Sequence, residues 1–207
     1  MPRRQRDRLA PFRYLRLHGR VRVLFLENDD SFSWNVVDSL PVDRGDVCLR
    51  PGREVARDPK ALEGMDVVVV GPGPTDPVRA GIVGVVLAAA CARRPLLGIC
   101  LGHQALGLAY GAKLVRVAPV HGKQSTITFS PSRLFPSFMG RETVMRYHSL
   151  ALTGIGAPLR IIAETEDGIA MAVEHATLPM AGLQFHPDSF GSPRGKEAIA
   201  DFFKAVT

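Results

Sequence analysis

Four valines in a row, Val67 to Val70, stop abruptly at the loop signal Gly71-Pro72-Gly73-Pro74. An unbroken β-branched run, with no alternation of apolar and polar residues, is typical of a strand buried on both faces. Such strands belong to parallel sheets that helices cover on either side. The glycines and prolines end the strand in a turn at its carboxyl end. The sequence therefore predicts a core built on a buried parallel sheet.

The segments around this strand repeat a strand-then-helix pattern. Strands are predicted over residues 21–28 and 95–100, and helices over residues 31–40, 79–92 and 102–111. The first helix follows a capping cluster that starts at Asn28. Strands that alternate with helices indicate an α/β fold with an open, mostly parallel twisted sheet and helices on both faces. Ligands are expected at the carboxyl ends of its strands, where both glycine-rich turns fall.

The second half of the chain has a different pattern, with short strands closer together. It ends in an amphipathic stretch that predicts a helix over residues 195–206. The strands are predicted over residues 125–129, 159–165, 168–175 and 180–186.

One cysteine stands between two glycines at a predicted strand-to-helix turn, in the stretch Gly98-Ile99-Cys100-Leu101-Gly102. A nucleophile elbow has this form, because small flanking residues allow the sharp turn that raises the nucleophile at the sheet edge. The start of the following helix favours a thiolate at this position. The alternative is a buried structural cysteine beside helix-packing glycines. The motif alone does not decide between them.

A thiolate nucleophile needs a base and a group that orients the base. His186 comes at the end of an apolar strand pattern, and Asp188 follows two residues later. Three other histidines fit the role less well. His18 lies in the N-terminal segment, His103 suits a structural place on a helix, and His175 is expected to be solvated in a hairpin turn.

Charge is distributed unevenly along the 207 residues. The formal net charge is +6, but the first 20 residues hold seven arginines and one acid, so residues 21–207 are neutral overall. This weakens the case for a nucleic-acid-binding face. We therefore treat residues 1–20 as a basic extension, with an added strand or turn predicted at 12–17, and residues 21–207 as one domain.

The sequence also predicts where the protein works. The N-terminal segment lacks the apolar region of a secretory signal and the serines of a transit peptide. Three cysteines without paired spacing suit a reducing compartment. No apolar stretch reaches the roughly 20 residues needed to span a bilayer. We expect a cytoplasmic protein.

From Val21 onward the sequence closely resembles the class I, or triad-type, glutamine amidotransferases. Within that family it looks most like the small subunits of anthranilate synthase and aminodeoxychorismate synthase. The resemblance implies a flavodoxin-like fold. The matching segments, in family order, are ENDDSFSWNVVD, GPGPTDPVRAG, LLGICLGHQALG, HGKQS, RYHSL and TLPMAGLQFHPDS.

The resemblance implies a role for each triad residue. Cys100 matches the nucleophile that attacks the side-chain amide of glutamine, which releases ammonia and leaves a γ-glutamyl thioester for water to cleave. His186 matches the base. Asp188 occupies the third position, where the family usually has glutamate. The chain departs by one methylene here, which shortens the reach of the carboxylate.

The same resemblance implies an oxyanion hole, a glutamine pocket and a partner-facing loop. The backbone N–H groups of Gly73 and Leu101 match the oxyanion hole. Glutamine-binding positions are Gly71, Gly73, Gln104, Ser149 and Leu150, and the loop that faces the partner subunit in relatives carries His121, Lys123 and Ser125. Without the resemblance, Gln104 would be interpreted as a solvent-facing helix residue and Lys123 as a solvated charge.

The leading hypothesis is a glutaminase subunit that supplies ammonia to a separate chorismate-utilising synthase. Which product forms, anthranilate or aminodeoxychorismate, depends on that partner. Two alternatives stay open: a stand-alone γ-glutamyl hydrolase or amidotransferase for another acceptor, and a non-catalytic regulatory homologue with a degenerate triad. No cofactor is implied and no metal site is expected, because no cluster has ligand spacing.

Overall fold

The structure, a computed structural model, describes residues 19–207. The basic extension proposed for residues 1–20 lies outside the described residues except for its last two. The strand or turn predicted at residues 12–17 lies outside them as well.

The described chain contains eleven strands and five α-helices, with short 3-10 turns at Arg44–Asp46 and Pro59–Leu62. The strands are β1 (Val23–Glu27), β2 (Val47–Pro51), β3 (Val67–Val70), β4 (Leu96–Ile99), β5 (Lys113–Arg116), β6 (Lys123–Phe129), β7 (Gly140–Arg146), β8 (Leu150–Thr153), β9 (Leu159–Thr165), β10 (Ala170–His175) and β11 (Met180–Leu183). The helices are α1 (Ser33–Val37), α2 (Gly52–Arg57), α3 (Val83–Cys91), α4 (Leu101–Ala109) and α5 (Gly195–Val206).

Nine of these strands form one sheet in the order β2-β1-β3-β4-β11-β10-β9-β6-β7. The first five strands in this order run parallel to one another, and the last four continue the sheet in antiparallel fashion. The parallel part has the strand order of flavodoxin-like sheets. A separate two-stranded sheet joins β5 to β8. The predicted α/β class is confirmed.

Two apolar layers cover the two faces of the large sheet. Alternate residues of β1 enter different layers: Leu24 and Leu26 pack with α2, α3 and α4, while Val23 and Phe25 pack with α1 and α5. The period of two along a strand produces this division. Helices therefore lie on both faces, as predicted.

Several element boundaries differ from the sequence prediction. The helix expected from residue 79 begins at Val83, because Gly81 has a positive φ of 72° that a helix does not accommodate. The preceding turn is held by Asp76, whose Oδ1 accepts from the N–H groups of Val78 and Arg79 at 3.0 Å each. The strand expected to reach His186 ends at Leu183. The final helix matches its predicted range.

Candidate active site

Cys100 lies in the turn between β4 and α4 with φ 51° and ψ −96°. A non-glycine residue with positive φ is uncommon, and it persists only where its surroundings hold it. Two backbone hydrogen bonds do so here: the Cys100 N–H donates to the Leu183 carbonyl at 2.8 Å, and its carbonyl accepts from the Gln104 N–H at 3.1 Å. The turn has the conformation predicted for a nucleophile elbow.

The two glycines beside Cys100 allow the backbones to approach closely. A Cβ atom on Gly98 would stand 2.4 Å from the Gly102 carbonyl, and one on Gly102 would stand 2.2 Å from the carbonyl oxygen of Val70. Both contacts are shorter than atoms tolerate, and both involve backbone. The glycines thus set α4 directly against β3 and β4.

His186 and Asp188 lie in the segment after β11, and both side chains are nearly excluded from solvent. The His186 N–H donates to the Met145 carbonyl at 3.0 Å, which fixes the start of this segment. The Nδ1 atom of His186 is 3.6 Å from Oδ1 of Asp188, and neither atom has a hydrogen-bond partner among residues 19–207. The distance exceeds a normal hydrogen bond. The two groups attract each other by charge across a short gap.

The electrostatic surroundings of His186 favour its charged form. Burial alone lowers the pKa of the imidazole, but the neighbouring Asp188 and Cys100 side chains outweigh burial and raise it from 6.5 to about 10. A cationic imidazole beside a thiol stabilises the thiolate. The three residues that the sequence analysis grouped are therefore brought together.

The loop after β3 lies against the start of α4. A Cβ atom on Gly73 would stand 2.7 Å from Cδ2 of Leu101 and 2.8 Å from the carbonyl oxygen of Asn28. The two predicted oxyanion-hole residues are thus neighbours. Gly71 is held in turn, since its N–H donates to the Leu26 carbonyl at 3.0 Å.

Asn28, the first residue of the predicted capping cluster, is not the N-cap of α1. Its buried Nδ2 donates to the carbonyl oxygens of Leu26, at 3.3 Å, and Gly71, at 3.0 Å. The N-cap of α1 is Phe32, which makes no side-chain capping bond. The Asn28 amide therefore joins the end of β1 to the glycine loop after β3, a link that sequence analysis did not predict.

The residues expected to bind glutamine converge from α4 and the start of β8. Gln104 is buried, not solvent-facing, and its Nε2 donates to the Leu150 carbonyl at 3.2 Å. Ser149 lies just before β8, where its carbonyl accepts from the Val117 N–H at 3.0 Å.

Gln184 is a further buried residue that sequence analysis did not single out. Its Nε2 is 3.6 Å from the sulfur of Cys100, and its Oε1 accepts from Nε2 of Gln104 at 3.2 Å. Its only sequence signal is its position two residues before His186, at the end of β11.

The loop predicted to face a partner subunit runs beside the site. Backbone hydrogen bonds of 3.0 Å join residues 117–122 to residues 146–149. His121 and Lys123 are exposed, whereas Ser125 is half-buried and accepts from Nη1 of Arg146 at 3.3 Å. Two of the three predicted contact residues therefore face solvent at the edge of the site.

Three other histidines of the described chain are buried. His103 is fully buried, and burial lowers its pKa to about 4. His148 is also buried, and burial together with Arg146 lowers its pKa to about 4. The solvated role expected for His175 is wrong: it is buried at the end of β10, and its Nδ1 accepts from the N–H groups of Thr177 and Leu178.

A cavity of about 300 Å³ adjoins His186. Tyr147 lines it and meets the imidazole edge-on, with ring centroids 5.0 Å apart. Phe190 is 92% exposed at its mouth. The complete lining is Phe32, Asn35, Tyr147, His186, Asp188, Ser189 and Phe190.

A strained cysteine at a strand-to-helix turn, beside a cationic histidine, is the arrangement of a cysteine-dependent enzyme on an α/β scaffold. Comparison with known families agrees. The family model described as glutamine amidotransferase class-I matches residues 24–206. The chain belongs to the class-I glutamine amidotransferases, and it is an enzyme of that family.

Two curated relatives illustrate the match. The chain is 38% identical over 198 residues to an aminodeoxychorismate synthase of Streptomyces griseus, covering 88% of this chain and 26% of that protein. It thus spans about a quarter of that relative's length. It is 37% identical over 188 residues to an anthranilate synthase component 2 of Mycobacterium tuberculosis, covering 88% of this chain and 81% of that protein.

A solved structure confirms the fold. A glutamine amidotransferase from Thermotoga maritima superimposes with a TM-score of 0.67 at 18% identity, covering 90% of this chain and 84% of that one. Within residues 19–207, no helix is long and apolar enough to cross a membrane. The same residues contain no group of three or more His, Cys, Asp or Glu side chains placed to hold a metal ion.

Proposed function

We propose that this chain hydrolyses glutamine and supplies the ammonia to a separate chorismate-utilising synthase that makes anthranilate or aminodeoxychorismate. The names of the two relatives, an anthranilate synthase component 2 and an aminodeoxychorismate synthase, support this acceptor chemistry. The partner subunit determines the product. A cytoplasmic location is part of the proposal.

The first half of the reaction forms a thioester. The Cys100 thiolate attacks the amide carbon of the glutamine side chain, and the carbonyl oxygen becomes an oxyanion that accepts hydrogen bonds from the N–H groups of Gly73 and Leu101. The C–N bond then breaks, and protonated His186 gives its proton to the departing nitrogen. The products are ammonia and a γ-glutamyl thioester on Cys100.

The second half restores the enzyme. Neutral His186 removes a proton from water, and the resulting hydroxide attacks the thioester carbon through a second oxyanion. The C–S bond breaks, which releases glutamate and returns the Cys100 thiolate. Asp188 keeps the imidazole charged when it holds the proton. Gln104, Ser149, Leu150 and Gly71 hold the amino-acid end of glutamine during both halves.

One observation carries the proposal: Cys100 has a positive φ and lies beside the buried His186. Cys100 and Asp188 raise the pKa of His186 to about 10. A buried structural cysteine needs neither the strained backbone nor a cationic neighbour. The combination supports a nucleophile that is charged before substrate arrives.

We expect the free chain to turn over slowly. The 3.6 Å gap between His186 and Asp188 leaves the imidazole without the hydrogen bond that would fix its orientation. The exposed loop with His121 and Lys123 borders the site, and we propose that the synthase docks there. A docked synthase would also cover the exit of ammonia, which keeps the ammonia unprotonated and away from bulk water.

Glutamate release from glutamine tests the proposal. The chain is assayed alone and with each candidate synthase subunit, anthranilate-forming and aminodeoxychorismate-forming, and Cys100→Ala serves as the inactive control. Release that needs Cys100 and rises with one synthase supports the proposal. Release that persists in Cys100→Ala contradicts the assigned nucleophile, and fast release unaffected by either synthase supports a stand-alone hydrolase instead.

A further inference from the structure

The Gln184 side chain lies directly behind the elbow. It is completely buried at the end of β11, and its backbone N–H donates to the Met171 carbonyl at 2.9 Å. A buried amide has to satisfy both its donor and its acceptor, since an unpaired polar group in the interior is costly. Gln184 satisfies its two ends with residues of the site.

The donor end points at the nucleophile. Nε2 of Gln184 is 3.6 Å from the Cys100 sulfur, within the longer range of hydrogen bonds to sulfur. A thiolate accepts such a bond much more strongly than a thiol, because hydrogen bonds to charged groups are about twice as strong as neutral ones. An amide donor behind the sulfur therefore favours the reactive form.

The acceptor end is tied to the glutamine pocket. Oε1 of Gln184 accepts from Nε2 of Gln104 at 3.2 Å, and the same Nε2 donates to the Leu150 carbonyl at 3.2 Å. The bond to the Leu150 carbonyl identifies the Gln104 atom at this position as the donor Nε2. Only the oxygen of the Gln184 amide can accept from that donor, so the orientation of the Gln184 amide is fixed. The Gln184 amide is thereby turned with its N–H group toward Cys100.

We propose that Gln184 is a positioning residue that holds the Cys100 sulfur through its amide N–H and takes its own orientation from Gln104 in the glutamine pocket. It acts through Cys100 and does not itself meet the reacting amide. The inference rests on the proposed function, because it takes Cys100 as the nucleophile.

The test is the rate of Cys100 alkylation by iodoacetamide as a function of pH, measured peptide by peptide by mass spectrometry on the full chain. Cys91 is exposed and serves as the internal reference thiol. We expect Gln184→Leu to move the Cys100 midpoint upward by about one pH unit, the size of one lost hydrogen bond to a charged group. Gln184→Glu keeps the size and adds a negative charge beside the thiolate, so it should move the midpoint further upward.

The matched control is Gln124→Leu. The Gln124 amide donates to the Gly191 carbonyl at 3.0 Å and does not contact Cys100, so the Cys100 midpoint should stay at the wild-type value. Thermal unfolding of each variant establishes that it is folded. If Gln184→Leu misfolds, Gln184→Met carries the test, because it is also neutral and unable to donate a hydrogen bond to the sulfur.

The outcomes separate the two proposals. A wild-type Cys100 midpoint below that of Cys91 that rises in the Gln184 variants supports both. A low wild-type midpoint that stays in place in those variants overturns the role of Gln184 and leaves the nucleophile assignment standing. A wild-type Cys100 that titrates like Cys91 overturns the activated nucleophile, and the Gln184 role falls with it.

Discussion

The carboxylate of Asp188 lies just beyond hydrogen-bond distance of the His186 imidazole, so one added methylene could close the gap. Its carboxylate is buried with the imidazole of His186, yet Oδ1 lies 3.6 Å from Nδ1, and within the described part of the chain both atoms lack a hydrogen bond. Buried polar atoms without partners are costly. The pair thus keeps its charge attraction but loses the directional bond, as the short reach of aspartate at this position implies.

Asp188→Glu should therefore raise glutaminase activity. The longer side chain can bring its carboxylate into hydrogen-bond range of Nδ1, and one such bond predicts an increase of about two- to tenfold in kcat. Steady-state glutamate release measures the change. Asp188→Ala, the control, should lower kcat by at least as much, since it removes the charge. Lower activity in Asp188→Glu than in wild type would contradict this account of the gap.

The raised pKa of His186 makes a separate prediction. Because the folded-state value is about 10, against 6.5 for an ordinary imidazole, the ring should remain protonated between pH 7 and pH 9. Proton NMR of the His186 ring over this range measures it. Cys100→Ala should lower the midpoint, because Cys100 is one of the groups that raise it. A wild-type midpoint near 6.5 would refute the charged pair.

Residue types and spacing were enough to predict some of these positions but not others. Cys100 was found because glycines flank it, and His186 because it follows an apolar strand with a carboxylate nearby. Asn28 and Gln184 were missed, because each side chain contacts a residue distant in sequence: Asn28 contacts Gly71, and Gln184 contacts Cys100. The prediction for His175 was wrong for a different reason: its Nδ1 accepts from the N–H groups of Thr177 and Leu178, a local contact that residue polarity does not indicate.

At the level of elements, the turns after β1, β3 and β4 build the site together. The Asn28 amide ties the first of these turns to Gly71 in the second, and Gly73 in the second lies against Leu101 after the third. The proposed oxyanion hole would therefore depend on a hydrogen bond from a residue outside it.

Asn28→Ala should lower kcat by about tenfold and also raise KM, because it frees the glycine loop that carries Gly73 of the proposed oxyanion hole and Gly71 of the proposed glutamine pocket. Asn28→Asp should be worse, since it replaces an amide donor with a carboxylate facing two carbonyl oxygens. Steady-state kinetics on folded variants decide. Equal kcat in wild type and Asn28→Asp would show that the link does not matter.

Alanine substitutions at Gly102 and Gly84 should change the free energy of unfolding in opposite directions. Gly102→Ala should destabilise the fold by about 1–3 kcal/mol or more, because its Cβ would meet the Val70 carbonyl at 2.2 Å. Gly84→Ala in α3 meets nothing within 4 Å, so it should stabilise the fold by about 0.5–1 kcal/mol. Urea unfolding compares them. Equal effects of the two substitutions would contradict the packing of α4 on β3.

Strand and helix types were predictable because burial imposes their periods on the sequence. The valine run became β3, and the amphipathic stretch became α5 with the expected bounds. Boundaries were less predictable where one side-chain bond or one glycine decides. Asp76 and Gly81 delay the start of α3, and neither effect shows in the hydrophobic pattern.

The whole molecule combines a parallel half that carries Cys100 with an antiparallel half. His186 follows β11, the strand where the two halves meet. The α/β class followed from local patterns, but the strand order did not, because β4 pairs with a strand about 80 residues later through contacts that no local pattern encodes.

The position of the exposed loop predicts how a synthase affects the chain. Lys123→Glu should weaken stimulation of glutaminase activity by the synthase, because it reverses a charge at the proposed interface. Titration of the synthase into the chain measures the half-maximal concentration. Lys204→Glu, on the exposed side of α5, should leave that concentration unchanged. Identical half-maximal concentrations for wild type and Lys123→Glu would show that the synthase does not dock at this loop.

The most direct test of the central claim is mass measurement of the intact chain after rapid acid quenching with glutamine and the stimulating synthase. We predict a γ-glutamyl adduct on the intact chain, which digestion of the quenched sample locates to the Cys100 peptide, and no adduct in Cys100→Ala. Glutamate release without any adduct on Cys100, or an adduct that persists in Cys100→Ala, would contradict it.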